Sequence, residues 1–193
     1  MLQAEALRAA LGNRRLIGNR IIVLEEATST NDVVWQKSAE SAEGLVIFAE
    51  RQTAGRGQRG NRWESASEKG LWFSILLRPQ LTLEQSPRLT SWAAESIAQT
   101  LRDNYSLGAK VKSPNDVYVE AQKVAGVLLE MRAVPNSHVG ILGLGINVNQ
   151  RAEDFPTELR ARVASIAMLT GGQIDRQALA VALLSRLDQT YAP

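Results

Sequence analysis

The segment 55–60, which reads GRGQRG, combines the two residue types best suited to holding anionic groups. Glycine lets backbone N–H groups close around an oxyanion, and arginine adds a permanent positive charge with a fork of donors. Four arginines and three glycines lie between Arg51 and Trp63, with no acidic residue among them. The segment therefore predicts an anion-binding loop. The alternative is a basic loop that only faces solvent.

The spacing of Gly55, Gly57 and Gly60 also matches the G-x-G-x-x-G pattern of dinucleotide-binding proteins. That pattern requires a helix directly after the loop, because the helix N-terminus faces the pyrophosphate. Residues 61–69, NRWESASEK, have no apolar helical face. No catalytic-loop motif of the kinase type follows either. We therefore expect neither a dinucleotide-binding loop nor a kinase loop.

Three further segments carry polar groups suited to small-molecule recognition. The run TSTN at 28–31 offers three hydroxyls and an amide, although a helix cap needs only one of these side chains. The run KSPND at 112–116 places a lysine, an amide and a carboxylate on a tight turn, and such a turn needs no function. Lys123 begins an apolar run in which Gly126 indicates that another group approaches the backbone.

The segment 143–149, GLGINVN, ends a strand with two glycines and two asparagines. A bulge followed by a turn is one interpretation. The other is a close approach of the backbone to a flat ring, with the Asn147 amide able to pair with an adenine edge. His138 is read as a surface residue, and no serine or threonine has an evident base partner, so a hydrolytic triad is unsupported.

Secondary structure must bring these segments together. Apolar and β-branched runs predict strands over residues 20–24, 44–49, 71–77, 117–119, 124–130 and 139–144. Helical spacing and capping residues predict helices over 2–11, from 28–31 to about 38, 86–103 and 175–191. Turn residues at 114–116 and 135–137 separate the last three strands. Consecutive strands without helices between them indicate an α+β domain with a mixed, largely antiparallel sheet backed by helices.

Length and composition narrow the class of protein. With 193 residues, 45% of them hydrophobic, the chain favours one domain over 1–193. No apolar run reaches the roughly 18–20 residues that cross a bilayer, so we expect a cytoplasmic protein without membrane contact. The absence of cysteine and a single histidine exclude disulfides, thiolate zinc sites and histidine clusters, leaving a hard ion such as Mg²⁺. The residues before Arg20 are too few for a helix-turn-helix module, so no nucleic-acid partner is expected.

The order of these motifs along the chain resembles that of the biotin protein ligases, also called biotin-[acetyl-CoA-carboxylase] ligases. The resemblance rests on the segments 29–31, 52–60 with Trp63, 112–116, 123–126 and 143–147. It implies a mixed sheet backed by helices, similar to the catalytic domain of class II aminoacyl-tRNA synthetases. It also implies a two-step reaction: biotin and MgATP give biotinyl-5'-AMP, and a lysine of a biotin carboxyl carrier protein or domain then takes the biotinyl group.

The resemblance also implies roles for individual residues. Catalysis falls to Arg56, Lys112 and Lys123, nucleotide binding to Trp63, Asn115 and Asn147, and Mg²⁺ binding to Asp116. Contacts with biotin or biotinyl-AMP fall to Ser29, Thr30, Asn31, Gln52, Gly55, Arg56, Gly57, Gln58, Lys123 and Gly126. A homodimer is a further expectation, since dimers are common in the family.

The sequence departs from the family pattern in three places. Gln58 stands where the family commonly has arginine, which predicts weaker retention of the reactive intermediate, and Ser113 stands where tryptophan is common. The small C-terminal barrel of many members is not expected here.

Lipoate ligases and octanoyltransferases share the fold, but their arginine-pair, triple-glycine and histidine-aspartate signature is missing. A non-catalytic biotin-binding protein is the second alternative.

Overall fold

A seven-stranded sheet forms the centre of the computed structural model, which describes residues 1–13, 15–134 and 137–192. The strands lie in the order β1-β2-β3-β7-β6-β5-β4. Only β1 and β2 run parallel, and every other neighbouring pair is antiparallel. Their bounds are β1 Arg20–Ala27, β2 Leu45–Gln52, β3 Gly70–Leu77, β4 Ala109–Lys112, β5 Asp116–Val119, β6 Gln122–Val134 and β7 Ser137–Asn147. The predicted mixed, largely antiparallel sheet is confirmed.

Five helices cover the sheet within the described residues: α1 Ala4–Leu11, α2 Thr30–Lys37, α3 Pro87–Tyr105, α4 Ile166–Thr170 and α5 Arg176–Thr190. The larger core lies on one face, where α1, α3 and α5 contribute leucines, isoleucines and alanines that are almost fully buried. The smaller core lies on the other face, under α2 and around Val34. Burial of both faces explains why β3 is apolar along nearly its whole length. None of these helices is both long and apolar enough to span a membrane.

All of the predicted strands and helices are present, with bounds that differ by a few residues. Asp175 caps α5 as predicted, because its carboxylate accepts hydrogen bonds from the backbone N–H of Gln177 and of Ala178. The prediction missed β4 and α4, which have only four and five residues and so show too little periodicity. In the turn predicted at 135–137, residues 135 and 136 lie outside the described residues.

The 53–69 loop, between β2 and β3, is the long polar segment seen in the sequence. It folds back on itself: Arg56 forms an antiparallel bridge with Arg62, and the Trp63 N–H donates to the Gly55 carbonyl at 2.9 Å. A single 3₁₀ turn covers Gln58–Gly60, and no α-helix follows it before β3. The expectation that a dinucleotide-binding helix is missing is therefore confirmed.

Candidate active site

A pocket lies under the 53–69 loop, on the sheet face that carries α2. The start of α2, the end of β2, the β4–β5 turn and the middle of β6 and β7 all meet there. Its polar and charged lining residues are Ser29, Thr30, Asn31, Gln52, Arg56, Gln58, Asn115 and Lys123, joined by Gly57, Trp63, Gly126, Gly143 and Gly145. Its cavity of about 40 Å³ is far below the roughly 300–1,000 Å³ of ordinary small-molecule sites. A ligand of ordinary size therefore needs more room than this conformation leaves.

The TSTN run does more than begin a helix. Ser29 occupies the N-cap position of α2, yet its side chain makes no capping hydrogen bond. The Thr30 backbone N–H donates to Gln52 Oε1 at 2.8 Å, and Thr30 Oγ1 lies 2.7 Å from Ser74 Oγ. All three side chains from 29 to 31 are almost fully buried against the pocket. The interpretation of these residues as a mere helix cap is therefore disfavoured.

Asn31 is held at both ends of its amide. Its Nδ2 donates to Glu130 Oε2 at 2.6 Å, and its Oδ1 accepts from Ser74 Oγ at 2.5 Å. Gly143 makes this position possible, because a methyl group there would lie 2.5 Å from Asn31 Oδ1. Ser74 and Glu130 were not identified from the sequence. Ser74 left a signal, since it is the one polar residue within the run LWFSILL and is fully buried.

The Arg56 side chain ties the loop to the rest of the protein. Its guanidinium donates to both Asp32 oxygens at 2.8 Å and to Glu130 Oε2 at 3.2 Å. Hydrogen bonding from Arg56 lowers the pKa of Asp32. Hydrogen bonding to Asp32, and then to Glu130, raises the pKa of Arg56 against the opposing effect of partial burial. Since two carboxylates bind this guanidinium, the alternative of a merely solvated loop is disfavoured.

Lys123 is the second cationic side chain that lines the pocket. Its Nζ lies 2.7 Å from Asp116 Oδ1 and 5.3 Å from the centre of the Trp63 ring. Its backbone is fixed on both sides, because its N–H donates to the Arg162 carbonyl and its carbonyl accepts from Ala164. Asn115 donates to the same Asp116 oxygen at 2.8 Å. The amine is thus held at the edge of the pocket with a single carboxylate as its ion-pair partner among the described residues.

Two glycines form a flat floor on which Trp63 lies. A methyl group on Gly145 would lie 2.4 Å from Trp63 Cε2, and one on Gly126 would lie 3.0 Å from Trp63 Cζ3. A flat ring does approach these glycines, but it is the protein's own indole, whereas the sequence interpretation concerned the adenine ring of a ligand. The indole Nε1 of Trp63 is buried without a hydrogen-bond partner among the described residues. Trp63 is thus both packed on the glycines and part of the pocket lining.

Four residues expected at the site do not line the pocket. Gly55 lies directly behind it, where a methyl group would meet the Trp63 carbonyl at 2.6 Å. Asp116 does not line the pocket itself but forms an ion pair with Lys123, which does. The Lys112 Nζ lies 5.3 Å from the centre of the Tyr118 ring, on the exposed side of the β4–β5 turn. Asn147 is buried and is not among the lining residues.

The Asn147 amide is already engaged within the protein. Its Nδ2 donates to the Ala164 carbonyl at 3.2 Å, and its Oδ1 accepts from Gln150 Nε2 at 3.3 Å. Pairing with adenine would require both hydrogen bonds to break, so the nucleotide role of Asn147 stays a prediction that this conformation does not favour.

The donor set fits a Mg²⁺ ion that is held mainly by phosphate oxygens. The described residues contain no group of three or more carboxylate, histidine or cysteine ligands. Mg²⁺ in nucleotide-using enzymes commonly takes one or two protein carboxylates and completes its shell with phosphates and water. Asp116, beside the pocket edge, is suited to be that carboxylate.

Comparisons with known proteins agree with this arrangement. Residues 23–147 match the model of the Biotin/lipoate A/B protein ligase family. The bifunctional ligase/repressor BirA of Bacillus subtilis is 33% identical over 178 residues, which cover 91% of this chain and 55% of that protein. The biotin-[acetyl-CoA-carboxylase] ligase of Mycobacterium tuberculosis is 28% identical over 206 residues, covering 97% of this chain and 73% of that protein. This chain thus spans about half the length of the BirA relatives that it matches.

A solved structure gives the same result for the fold. The biotin protein ligase from Aquifex aeolicus in complex with biotin and ATP superposes with a TM-score of 0.75 at 34% sequence identity, covering 88% of this chain and 69% of that one. The family model matches well over half of the chain. The chain therefore belongs to the biotin/lipoate A/B protein ligase family, with the fold of a biotin protein ligase catalytic domain.

Proposed function

We propose that this chain joins biotin to ATP to form biotinyl-5'-AMP and pyrophosphate, and then transfers the biotinyl group to a lysine of a biotin carboxyl carrier protein or domain, with release of AMP. One observation carries the proposal. The same pocket is lined by neutral hydrogen-bonding groups, from Ser29 to Asn31 with Gln52, and by the Lys123 amine. A small polar ring that carries a carboxylate on a side chain needs this combination.

The first step must bring a carboxylate against an α-phosphate, and these two anions repel each other. A positive charge fixed between them stabilises the transition state, in which negative charge is concentrated on the transferring oxygens. The Lys123 amine suits this task because its backbone is fixed to residues 162–164 and Asp116 orients its Nζ. When Mg²⁺ is bound with ATP, it supplies further charge neutralisation at the phosphates.

The 53–69 loop suits the second requirement, which is to keep water from a reactive acyl-adenylate. Gly57 and Gln58 of this loop line the pocket, and the hydrogen bonds of Arg56 to Asp32 hold the loop in place. A closed loop excludes water and strengthens the electrostatic interactions beneath it. Since Arg56 bonds two carboxylates, we assign its side chain to loop closure and the backbone of 56–58 to covering the ligand.

Incubation of the protein with biotin, MgATP and an apo carrier domain, followed by intact-mass analysis of the carrier, tests the proposal. We expect one biotinyl group per carrier, dependent on ATP, and none on a carrier whose acceptor lysine is replaced by arginine. Transfer of lipoate or octanoate in place of biotin would show the sister reaction of the same fold. Tight biotin binding without ATP-dependent pyrophosphate release would show a non-catalytic binder. Either result contradicts the proposal.

The cellular setting is part of the same proposal. We infer a cytoplasmic protein whose partners are biotin, ATP and a carrier domain. That residues 1–193 act as a single catalytic domain, and that two copies form a homodimer, stay predictions. Sedimentation in the presence and absence of biotin would test the dimer.

A further inference from the structure

Glu130 and Ser74 do not touch the pocket, yet both hold Asn31, which does. Ser74 lies fully buried in the middle of apolar β3, where a hydroxyl costs free energy unless it is hydrogen bonded. Both of its hydrogen-bond partners, Thr30 and Asn31, are pocket residues. These two polar side chains therefore hold residues of the pocket lining and not the sheet.

Hydrogen bonds link Glu130 to Asn31, Asn31 to Ser74 and Ser74 to Thr30. The Glu130 carboxylate determines the direction of the first two. A carboxylate only accepts, so the Asn31 amide must turn its Nδ2 toward Glu130 and its Oδ1 toward Ser74. An amide oxygen also only accepts, so the Ser74 hydroxyl must donate to it. The Thr30 hydroxyl then has two acceptors for its one proton, Ser74 Oγ at 2.7 Å and Gln52 Oε1 at 3.1 Å.

This directionality decides what the pocket offers to a ligand. With its hydroxyl proton directed to Ser74 or to Gln52, Thr30 offers lone pairs to a ligand. The Asn31 carbonyl oxygen, which has two lone pairs and uses one for Ser74, offers the other. Two neighbouring acceptors suit a ligand with two adjacent N–H donors, such as a cyclic urea. A reversed Asn31 amide would present N–H donors instead and would repel that ligand.

We infer that Glu130 is a positioning residue which, with Ser74, fixes the Asn31 amide so that this wall of the pocket accepts N–H donors and selects a cyclic urea. The inference rests on the proposed function, in which biotin supplies that ring. Glu130 also accepts a hydrogen bond from Arg56 at 3.2 Å. The same carboxylate therefore orients Asn31 and helps to hold the 53–69 loop.

Binding of biotin, and of its two cyclic carbamate analogues in which one ring N–H is replaced by oxygen, tests the inference. Calorimetry on the unchanged protein and on Glu130→Met gives the ratio of the affinities for biotin and for each analogue. The unchanged protein should reject the analogue whose ring oxygen faces the Asn31 oxygen. In Glu130→Met, which has no acceptor, the amide is free to reverse, and the ratio should fall by at least about tenfold, the effect of one buried hydrogen bond.

Three variants separate positioning from stability and from loop closure. Glu130→Gln retains an acceptor oxygen and should restore the ratio. Ser74→Ala removes the opposite restraint on the amide without touching Arg56, so it should lower the ratio. Asp32→Asn weakens the Arg56 contact without touching Asn31, so it should leave the ratio unchanged even where the affinity for biotin falls. Because a ratio of affinities does not depend on the folded fraction, loss of stability alone would not change it.

The outcomes distinguish this inference from the proposed function. If the unchanged protein does not bind biotin, the proposed function is refuted and the inference falls with it. If the unchanged protein binds biotin and Glu130→Met keeps the original ratio, only the positioning role is overturned. Glu26→Gln, an exposed carboxylate paired with Arg51 outside the pocket, is the matched surface control and should bind biotin as the unchanged protein does.

Discussion

Replacing Gly145 with alanine tests whether the glycine floor exists to seat Trp63. The added methyl group would lie 2.4 Å from Cε2, 2.6 Å from Cζ2 and 2.7 Å from Nε1 of the indole. Carbon atoms pack favourably at about 3.5–4.0 Å, so the ring must move by roughly 1 Å or more. Overpacking of this kind costs about 1–3 kcal/mol. For a chain of this size that lowers the melting temperature by about 2–12 °C.

Thermal unfolding followed by circular dichroism measures the cost, and tryptophan fluorescence reports the ring movement. Gly108→Ala is the matched control, because a methyl group there has no neighbour within 4 Å. Gly126→Ala should cost less than Gly145→Ala, since its closest contacts are a longer 3.0 Å to Trp63 and the flexible end of Lys123.

A double-mutant cycle gives the decisive result. In a Trp63→Ala background the clash is removed, so Gly145→Ala should cost close to nothing there. The difference between the two backgrounds is the coupling of residues in contact. An equal loss of stability in both backgrounds would refute the reasoning, because it would show that Gly145 is required for a reason other than the indole.

Three further predictions concern the chemistry and the loop. Lys123→Ala should lower biotin-dependent ATP–pyrophosphate exchange by about 10²–10³-fold, the usual loss when a group that stabilises developing charge is removed; unchanged exchange would contradict the role of the amine. Gln58→Arg should slow the release of biotinyl-AMP, measured by rapid gel filtration of the complex, because an arginine adds a charged contact to the loop; equal release would show that position 58 does not control retention. Arg56 holds the pKa of Asp32 below its ordinary value of 3.8, so this carboxylate stabilises the fold fully above pH 3.8 and less as the pH falls toward the lowered pKa. The difference in free energy of unfolding between the unchanged protein and Asp32→Asn should therefore be constant above that pH and shrink below it, and a difference that stays constant at lower pH would exclude the assigned pKa direction.

The sequence determined most of the secondary structure and the list of site segments. Periodicity is a local property, so the long helix at α3 and the buried strands could be predicted from neighbouring residues alone. The glycines at 126 and 145 predicted a close approach to the backbone, because a strand gives up a side chain only where something needs the space. The pocket brings most of the predicted residues together, from Ser29 to Lys123.

Local sequence patterns could not predict the shortest strand and helix, nor the contacts that each side chain makes within the fold. The four residues of β4 alternate for too short a distance to be distinguished from a loop. The sequence predicted the approach of a flat ring at Gly145 without showing that the ring belongs to Trp63. Nor did it show that the Asn147 amide is used within the fold.

Only the tertiary structure decided how charge and hydrogen bonds are shared at the site. Arg56 meets Asp32 and Glu130, which are 24 and 74 residues away in the chain, so its charge is neutralised in a manner that no local pattern reveals. The placement of β7 beside β3 brings Gly143 opposite Ser74, and this pairing makes room for Asn31. The sequence thus determined which groups are available for the chemistry. The order of the strands decided which of them remain free to perform it, because hydrogen-bond partners are chosen by distance in space and not along the chain.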